Sequence, residues 1–414
     1  LSRSIFSFST ILLRIILISL NSYFISIASI IFLSSPKRKN FNLPSSSASI
    51  LFSMNSVSYL FLIDLSSYNG ISFLYNIIII IFLIISYKIN PILAPIGVTV
   101  ATIFQYIPYI WAIKDTGYKH KFFVDYKDEN IKKLLILALP IIFGVAVNQI
   151  NQLIDKNLAS FISVRGISVL SYSVKLNEFV WGILVVSIVT SIFPTLSKLA
   201  IESKQKFKVQ IAKTLSTIIY LVTPACVGIL IFSKEIVTLI FKRGKFDEND
   251  VILVSGVLFY YGLGLIGLGI RDVLSNSFYA LKMTRIPLIN SIEMVILNVV
   301  TSIILSRFMG LNGLALGSSI ATIFGAINLY MKLEKQIGKI KTKGIINNGK
   351  KVIISAFAMA LVSKLCFIIL NLKLSTNLSF LIALILAGIT YAVVSVLLRT
   401  RQAIDILKVI LKKF

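Results

Sequence analysis

Asn148, Gln152 and Asp155 recur at spacings of four and three inside one apolar stretch, and Lys175 and Glu178 stand three apart inside the next. Such spacings place side chains on one face of a helix. Both stretches lie in the segment 139–198, which also carries Gln149, Asn151, Lys156 and Asn177 and turns at Ser163-Val164-Arg165-Gly166. An ionisable group at membrane depth is costly unless it meets a partner or a water-filled cavity, so its default reading is a substrate or ion pathway. The face of Asn148, Gln152 and Asp155 suits a cavity wall or a small-cation site; hydrogen bonding between helices is the plain alternative. Lys175 suits a phosphate-bearing substrate, with Glu178 as its neighbour, although a pair that lowers the desolvation cost of both charges would look the same. Arg271 and Asp272 follow Gly262, Gly264, Gly267 and Gly269, where small residues let helices approach. Lys175, Glu178, Asn148, Gln152 and Arg271 are therefore the candidate substrate contacts. Glu293 and Lys364 are single membrane-depth charges whose partners the sequence does not name.

Composition sets the class of molecule that must position these groups. Of 414 residues 57% are hydrophobic and 14% charged, and the mean hydropathy is +0.90. A soluble domain needs a polar exterior that this composition cannot supply, so the chain is read as an all-α polytopic membrane protein. The net charge of +26 sits in short loops between apolar runs, which argues for topology and anionic membrane lipids as partners and against nucleic acid. Cys226 and Cys366 fall in apolar segments and His120 is the only histidine, so no disulfide framework, thiolate metal site or hydrolytic triad is indicated, and no enzyme.

Apolar runs long enough to cross a bilayer cover 71–88, 91–113, 132–157, 167–194, 211–232, 251–281, 286–306, 311–331, 352–371 and 377–398. Loop charge alternates along them. Lysines cluster at 114–133, 198–213, 332–351 and 399–413, whereas Arg165, Arg307 and Lys373 lie sparsely on the opposite side, so the C-terminus is expected in the cytoplasm. Leu196 to Val209, Glu235 to Lys242 and Ala403 to Phe414 read as short interfacial amphipathic stretches. Pro140, Pro194, Pro224 and Pro287 are candidate kinks. Residues 1–70 form a less defined N-terminal region, with candidate membrane helices near 5–34 and 48–63; truncated or diverged sequence is the alternative there.

Several separated motifs carry a family likeness: LPIIFGVAVNQINQLIDKNLAS at 139–160, SYSVKLNEFVWG at 171–182, FPTLSK at 193–198, LIFKRGKFDEND at 239–250, GLGIRDVLSNSFYALKMTRIP at 267–287 and GLNGLALGSSIAT at 310–322. In order and spacing they resemble the MurJ/MviN flippases, relatives of the MATE exporters, from about Tyr75 onward. The resemblance implies a MATE-like multi-helix bundle divided into the end of a first lobe and a cytoplasmic loop at 71–131, a second six-helix lobe at 132–333, and a linker, C-terminal helix pair and basic tail at 334–414. It implies transport of undecaprenyl-pyrophosphate-linked disaccharide-peptide across the bacterial inner membrane, with the final helix pair holding the polyprenyl tail. Lys175 falls where the family usually has an arginine, which keeps the charge and loses the bidentate fork. Met283 replaces a usual aspartate. The resemblance also implies Na⁺ as a coupling ion at Asp155, with Asn298, Ser302 and Ser318 as companions, Ser302 standing in place of a second carboxylate. Nothing in residues 1–70 matches the family's head-group arginines. The competing readings are a flippase for another polyprenyl-linked glycan, a cation-coupled MATE-type drug exporter, and an inactive or scaffolding fragment.

The charge alternation makes a topological prediction. After both native cysteines are replaced by serine, a membrane-impermeant maleimide should label Lys373→Cys in intact cells, and Lys339→Cys only after the cells are opened. The reverse pattern would invert the topology.

Overall fold

The computed structural model describes residues 70–90, 92–104, 129–340 and 343–411, and every element among them is helical. The stretches near 5–34 and 48–63, most of the basic loop before Glu129, and Lys412 to Phe414 lie outside the described residues. The chain forms two compact units, one of residues 1–125 with 243–247 and one of residues 126–242 with 248–414.

In the first unit α1 (Gly70–Lys88) and α2 (Leu93–Phe104) pack as a hairpin. Ile79, Leu83 and Ala101 are its buried core. The Asn90 side chain accepts from the Ile92 amide in the connecting turn, at 3.0 Å.

The second unit begins with α3 (Glu129–Ile162). Next come α4 (Gly166–Trp181), a π-helical turn at Gly182–Val186, and α5 (Ser187–Glu202), which run on as one span. α6 (Lys204–Phe241), α7 (Glu248–Ala280), α8 (Arg285–Met309), α9 (Leu311–Ile337), α10 (Lys343–Asn371), α11 (Thr376–Leu397) and the short α12 (Arg401–Leu411) follow. Among the described residues seven segments are long and apolar enough to cross a membrane: the α4–α5 span and α6 to α11. α3 has the length, 34 residues, and carries amides and charges in its C-terminal half.

Helices α7, α8 and α9 form the centre of this unit. A Cβ on Gly264 of α7 would lie 2.7 Å from Ser319 Oγ of α9, and one on Gly317 of α9 would lie 2.7 Å from Ser302 Oγ of α8. Glycine at both positions lets α9 sit against two helices at close range, as membrane bundles require where no hydrophobic effect drives association.

The C-terminal pair is fastened to α6 along a seam with polar contacts at both ends. At one end Asn348 donates to Ser216 Oγ (3.1 Å) and to Gln402 Oε1 (2.8 Å), and Gln402 donates to the same serine at 2.9 Å. The Tyr391 hydroxyl donates to the Tyr220 carbonyl at 2.6 Å. At the other end the Lys364 ammonium lies 3.1 Å from Glu235 Oε1, 3.4 Å from the Ile231 carbonyl, and over the Phe232 and Phe367 rings. Phe232, Phe367, Phe380 and Ala383 close the apolar cluster beneath.

Local breaks fall elsewhere than the prolines suggested. Pro140, Pro194 and Pro224 lie inside helices, and the break in α6 is at Phe232 (φ −118°, ψ 21°), eight residues past Pro224. Lys364 supplies a donor to the Ile231 carbonyl beside that break, one of the recognised ways a kink is satisfied. Leu196 to Val209 is also not one interfacial stretch: Ser203 is extended there (φ −160°, ψ 112°), ends α5, and caps α6 by accepting from Lys206. Glu235 to Phe241 continues α6 beyond the kink, whereas α12 is a separate short helix that buries Gln402 and Ala403 and exposes Arg401, Asp405 and Lys408.

The Lys364–Glu235 end of the seam can be tested by stability. Glu235 is 14% exposed and Lys364 39%, so Lys364→Met should cost about 1–3 kcal/mol, between the ranges for exposed and buried pairs. Lys364→Arg should cost less. Thermal unfolding in detergent that leaves both variants at the native midpoint would contradict the seam.

Candidate functional site

Among the described residues, the most densely bonded polar cluster joins α3, α8 and α9. Asp155 is 7% exposed, Asn298 1% and Ser302 0%. The Asn298 amide nitrogen donates to Asp155 Oδ1 (3.0 Å) and Oδ2 (3.2 Å) and to Asn151 Oδ1 (2.8 Å). Its oxygen accepts from Ser302 and from Ser318, each at 3.1 Å. Ser318 also reaches Asp155 Oδ2 at 3.4 Å, as does the Asn151 amide. One carboxylate is thereby compensated by neutral donors from three helices, the condition for burying a polar network without an orphaned charge. Ser302 and Ser318 are held in place by the approach of α8 and α9 at Gly317.

Asp155, Asn298, Ser302 and Ser318, grouped in the sequence by resemblance, are all brought together here. The helix face expected from the spacing is not the one that buries. Asn151 is the partner of Asp155, Asn148 is half-buried, and Gln152 is exposed. Asp155 and Asn151 bond to neighbouring helices, the plain alternative to a cavity wall, while Lys175, Glu178, Asn148 and Gln152 keep accessible surface.

Lys175 and Glu178 are paired at 2.9 Å, with 23% and 25% of their side chains exposed. Their helix is set on α7 by Ser173, whose hydroxyl donates to the Val254 carbonyl at 2.9 Å. Tyr261 on α7 lies within electrostatic reach of Asp155, Ser318 and Glu178. The sequence offered only a phenol in an apolar run as its signal.

Arg271 is half-buried on α7, within electrostatic reach of Asp272 and Tyr279. Asp272 directs its hydrogen bond across helices, accepting from Trp181 Nε1 at 2.7 Å. The two lone charges find partners on neighbouring helices, Glu293 with Lys332 at 2.8 Å and Lys364 with Glu235. Glu293 also accepts from Asn328.

Chemically, the cluster offers one carboxylate with amide and hydroxyl oxygens, hard donors that suit an alkali or alkaline-earth ion over a transition metal. The same unit carries a quarter-exposed ammonium, Lys175, and a half-buried arginine, Arg271, the groups that compensate a phosphate in low dielectric.

Comparison with known proteins places this architecture. The family described as lipid II flippase MurJ matches residues 4–386. A probable lipid II flippase MurJ of Vibrio cholerae is 32% identical over 212 residues, 51% of this chain and 40% of that protein. The probable lipid II flippase MurJ of Haemophilus influenzae is 32% identical over 254 residues, 59% of this chain and 50% of that protein. The matched part of the chain thus spans about half or less of these curated relatives. A solved lipid II flippase MurJ in an inward closed conformation superposes with a TM-score of 0.64 at 26% identity, covering 85% of this chain and 70% of that one. A Vibrio cholerae MATE transporter shares the fold, with a TM-score of 0.54 at 13% identity over 70% of this chain and 65% of that one. The chain is a multi-pass membrane protein, helical throughout its described elements, and belongs to the MurJ lipid II flippase family.

Proposed function

We propose that the chain moves undecaprenyl-pyrophosphate-linked disaccharide-peptide from the inner to the outer leaflet of the bacterial cytoplasmic membrane by alternating access, and that it performs no covalent chemistry. The observation that carries this reading is the pair of polar groupings inside the helices of a chain of this family: the Asp155, Asn298 and Ser318 network, and the Lys175–Glu178 pair on α4. Residues 132–333 act as the second lobe, and α10 and α11 as the pair that accepts the lipid tail, since their outer faces expose Ile353, Phe357, Leu365 and Ile385. The C-terminus lies in the cytoplasm, where the basic loops meet anionic lipid headgroups. The C-terminal pair favours a lipid-linked substrate over the soluble drugs of a compact exporter.

Physically, the substrate brings a pyrophosphate into a region of low dielectric. Lys175 offsets part of that cost with a charge-assisted hydrogen bond, and Arg271 is positioned on the facing helix to add a second. Glu178 holds the ammonium until the phosphate competes for it. The tail remains in lipid throughout, and rocking of repeat-built lobes provides access from each side.

The Asp155 cluster fits Na⁺ as the coupling ion. Asp155, Asn151, Asn298, Ser302 and Ser318 would hold it, with a single carboxylate balancing its single charge. The Asn298 amino group now donates where a cation would sit, but an amide carries both a donor and an oxygen, so the same side chain can present either to the carboxylate. The bound ion would neutralise Asp155 and release the amide.

Complementation of a flippase-depleted bacterium by the full gene tests the activity. Lys175→Ala should reduce flipping in reconstituted vesicles roughly 10- to 100-fold, the worth of one hydrogen bond to a charged group. Lys175→Arg should retain most of it. Equal flipping by Lys175→Ala and the native chain would refute the assignment, and Asp155→Asn should remove any Na⁺ dependence of the rate.

A further inference from the structure

One turn beyond Glu178 on α4 stands Trp181, and its surroundings differ from those of an ordinary core tryptophan. The indole is half-buried, and its N–H is held by Asp272 Oδ2 at 2.7 Å. Asp272 shares a face of α7 with Asn276 and Tyr279, at spacings of four and three. Asn276 donates to the Asp272 backbone carbonyl at 2.9 Å, and Tyr279 and Arg271 lie within electrostatic reach of the carboxylate. All of these residues keep partial exposure. On the adjoining face of the same helix a Cβ built on Gly182, the next residue, meets nothing within 4 Å. Gly182 also begins the π-helical turn Gly182–Val186, a distortion that recurs at functional sites.

We infer that Trp181 is a carbohydrate platform, with Asp272 as its positioning residue. A flat indole offers a π face of negative potential, which suits the weakly positive C–H face of a pyranose. Hydroxyls around the sugar rim need donors and acceptors that converge at the ring edge; Arg271 supplies the former, Asn276 and Tyr279 both. Placing a carboxylate at membrane depth to fix one indole N–H is costly, and an apolar side chain would fill the same packing position without that cost. The cost is accounted for when the ring must be held at a set angle. Trp181 also lies about 9 Å along the helix axis from Lys175, at about 1.5 Å per residue, so phosphate and sugar of one head group meet different turns of α4. The inference rests on the flippase reading and adds to it where the disaccharide lies.

The test uses the full chain with its other tryptophan changed, Trp111→Phe, so that indole fluorescence reports Trp181 alone. Undecaprenyl pyrophosphate and its disaccharide-bearing form are the two probes. The sugar-bearing lipid should change the emission saturably, and the sugar-free lipid should not. Trp181→Ala should weaken binding of the sugar-bearing lipid about 10-fold, read by a competition assay, with the sugar-free lipid unchanged. Trp181→Phe, which keeps a ring and loses the N–H, and Asp272→Ala, which removes the acceptor, should each weaken only the sugar-bearing lipid, by several-fold and less than Trp181→Ala. If both lipids bind and Trp181→Ala weakens both alike or neither, the platform is refuted while the flippase reading stands. If neither lipid binds the parent protein, both are refuted.

Discussion

A carboxylate buried among membrane helices has to be compensated by its own protein, and in this chain Asn298 does most of that work for Asp155. Its nitrogen serves three oxygens and its oxygen receives two hydroxyls, so a single amide joins α3, α8 and α9. The network can close only because α8 and α9 approach at Gly317 and α9 and α7 at Gly264. Small residues at the helix contacts and polar residues inside them are two halves of one solution, since neither lipid nor an apolar core would hold the charge.

From that centre the remaining polar groups take graded positions. Asp155 is sealed and fully bonded, whereas Lys175 and Glu178 are paired and a quarter exposed, and Trp181 is held at one end only. Such a gradient suits a transporter, in which the most enclosed charge sets conformation and the more open ones meet cargo. The C-terminal pair is fastened to α6 by contacts at both ends of the seam, so its exposed apolar face is carried by the same unit that holds the Asp155 network. Sequence, helix contacts and the proposed activity thus depend on the same few residues.

Much of the fold was legible because apolar run length and loop charge are local properties. The expected segments coincide with helices from Gly70 to Leu397 wherever residues are described. The site was legible in part. Asp155 was evident as an acid in an apolar helix, but its companions on α8 and α9 came from family likeness and not from spacing. Asn151 and Gln152 are both plausible neighbours of Asp155 at helical spacing, four and three residues away; only packing against α8 chose Asn151. Lys332, Glu235 and Trp181 were illegible as partners because they lie 39, 129 and 91 residues from Glu293, Lys364 and Asp272. The α6 kink escaped notice for the same reason: the donor beside it, Lys364, comes from α10, and Pro224 left the helix running through.

The claim on which this account most depends is that the Asp155 cluster is a cation-responsive site and not only a helix clamp. Thermal unfolding of the purified full chain should be followed while NaCl replaces choline chloride at constant ionic strength, in the native protein and in Ser318→Ala, which removes one oxygen and leaves the carboxylate. The account predicts a midpoint that rises saturably with Na⁺ in the native chain and a weaker, right-shifted rise in the variant. A midpoint indifferent to Na⁺ in the native chain, or the same rise in both proteins, would contradict it.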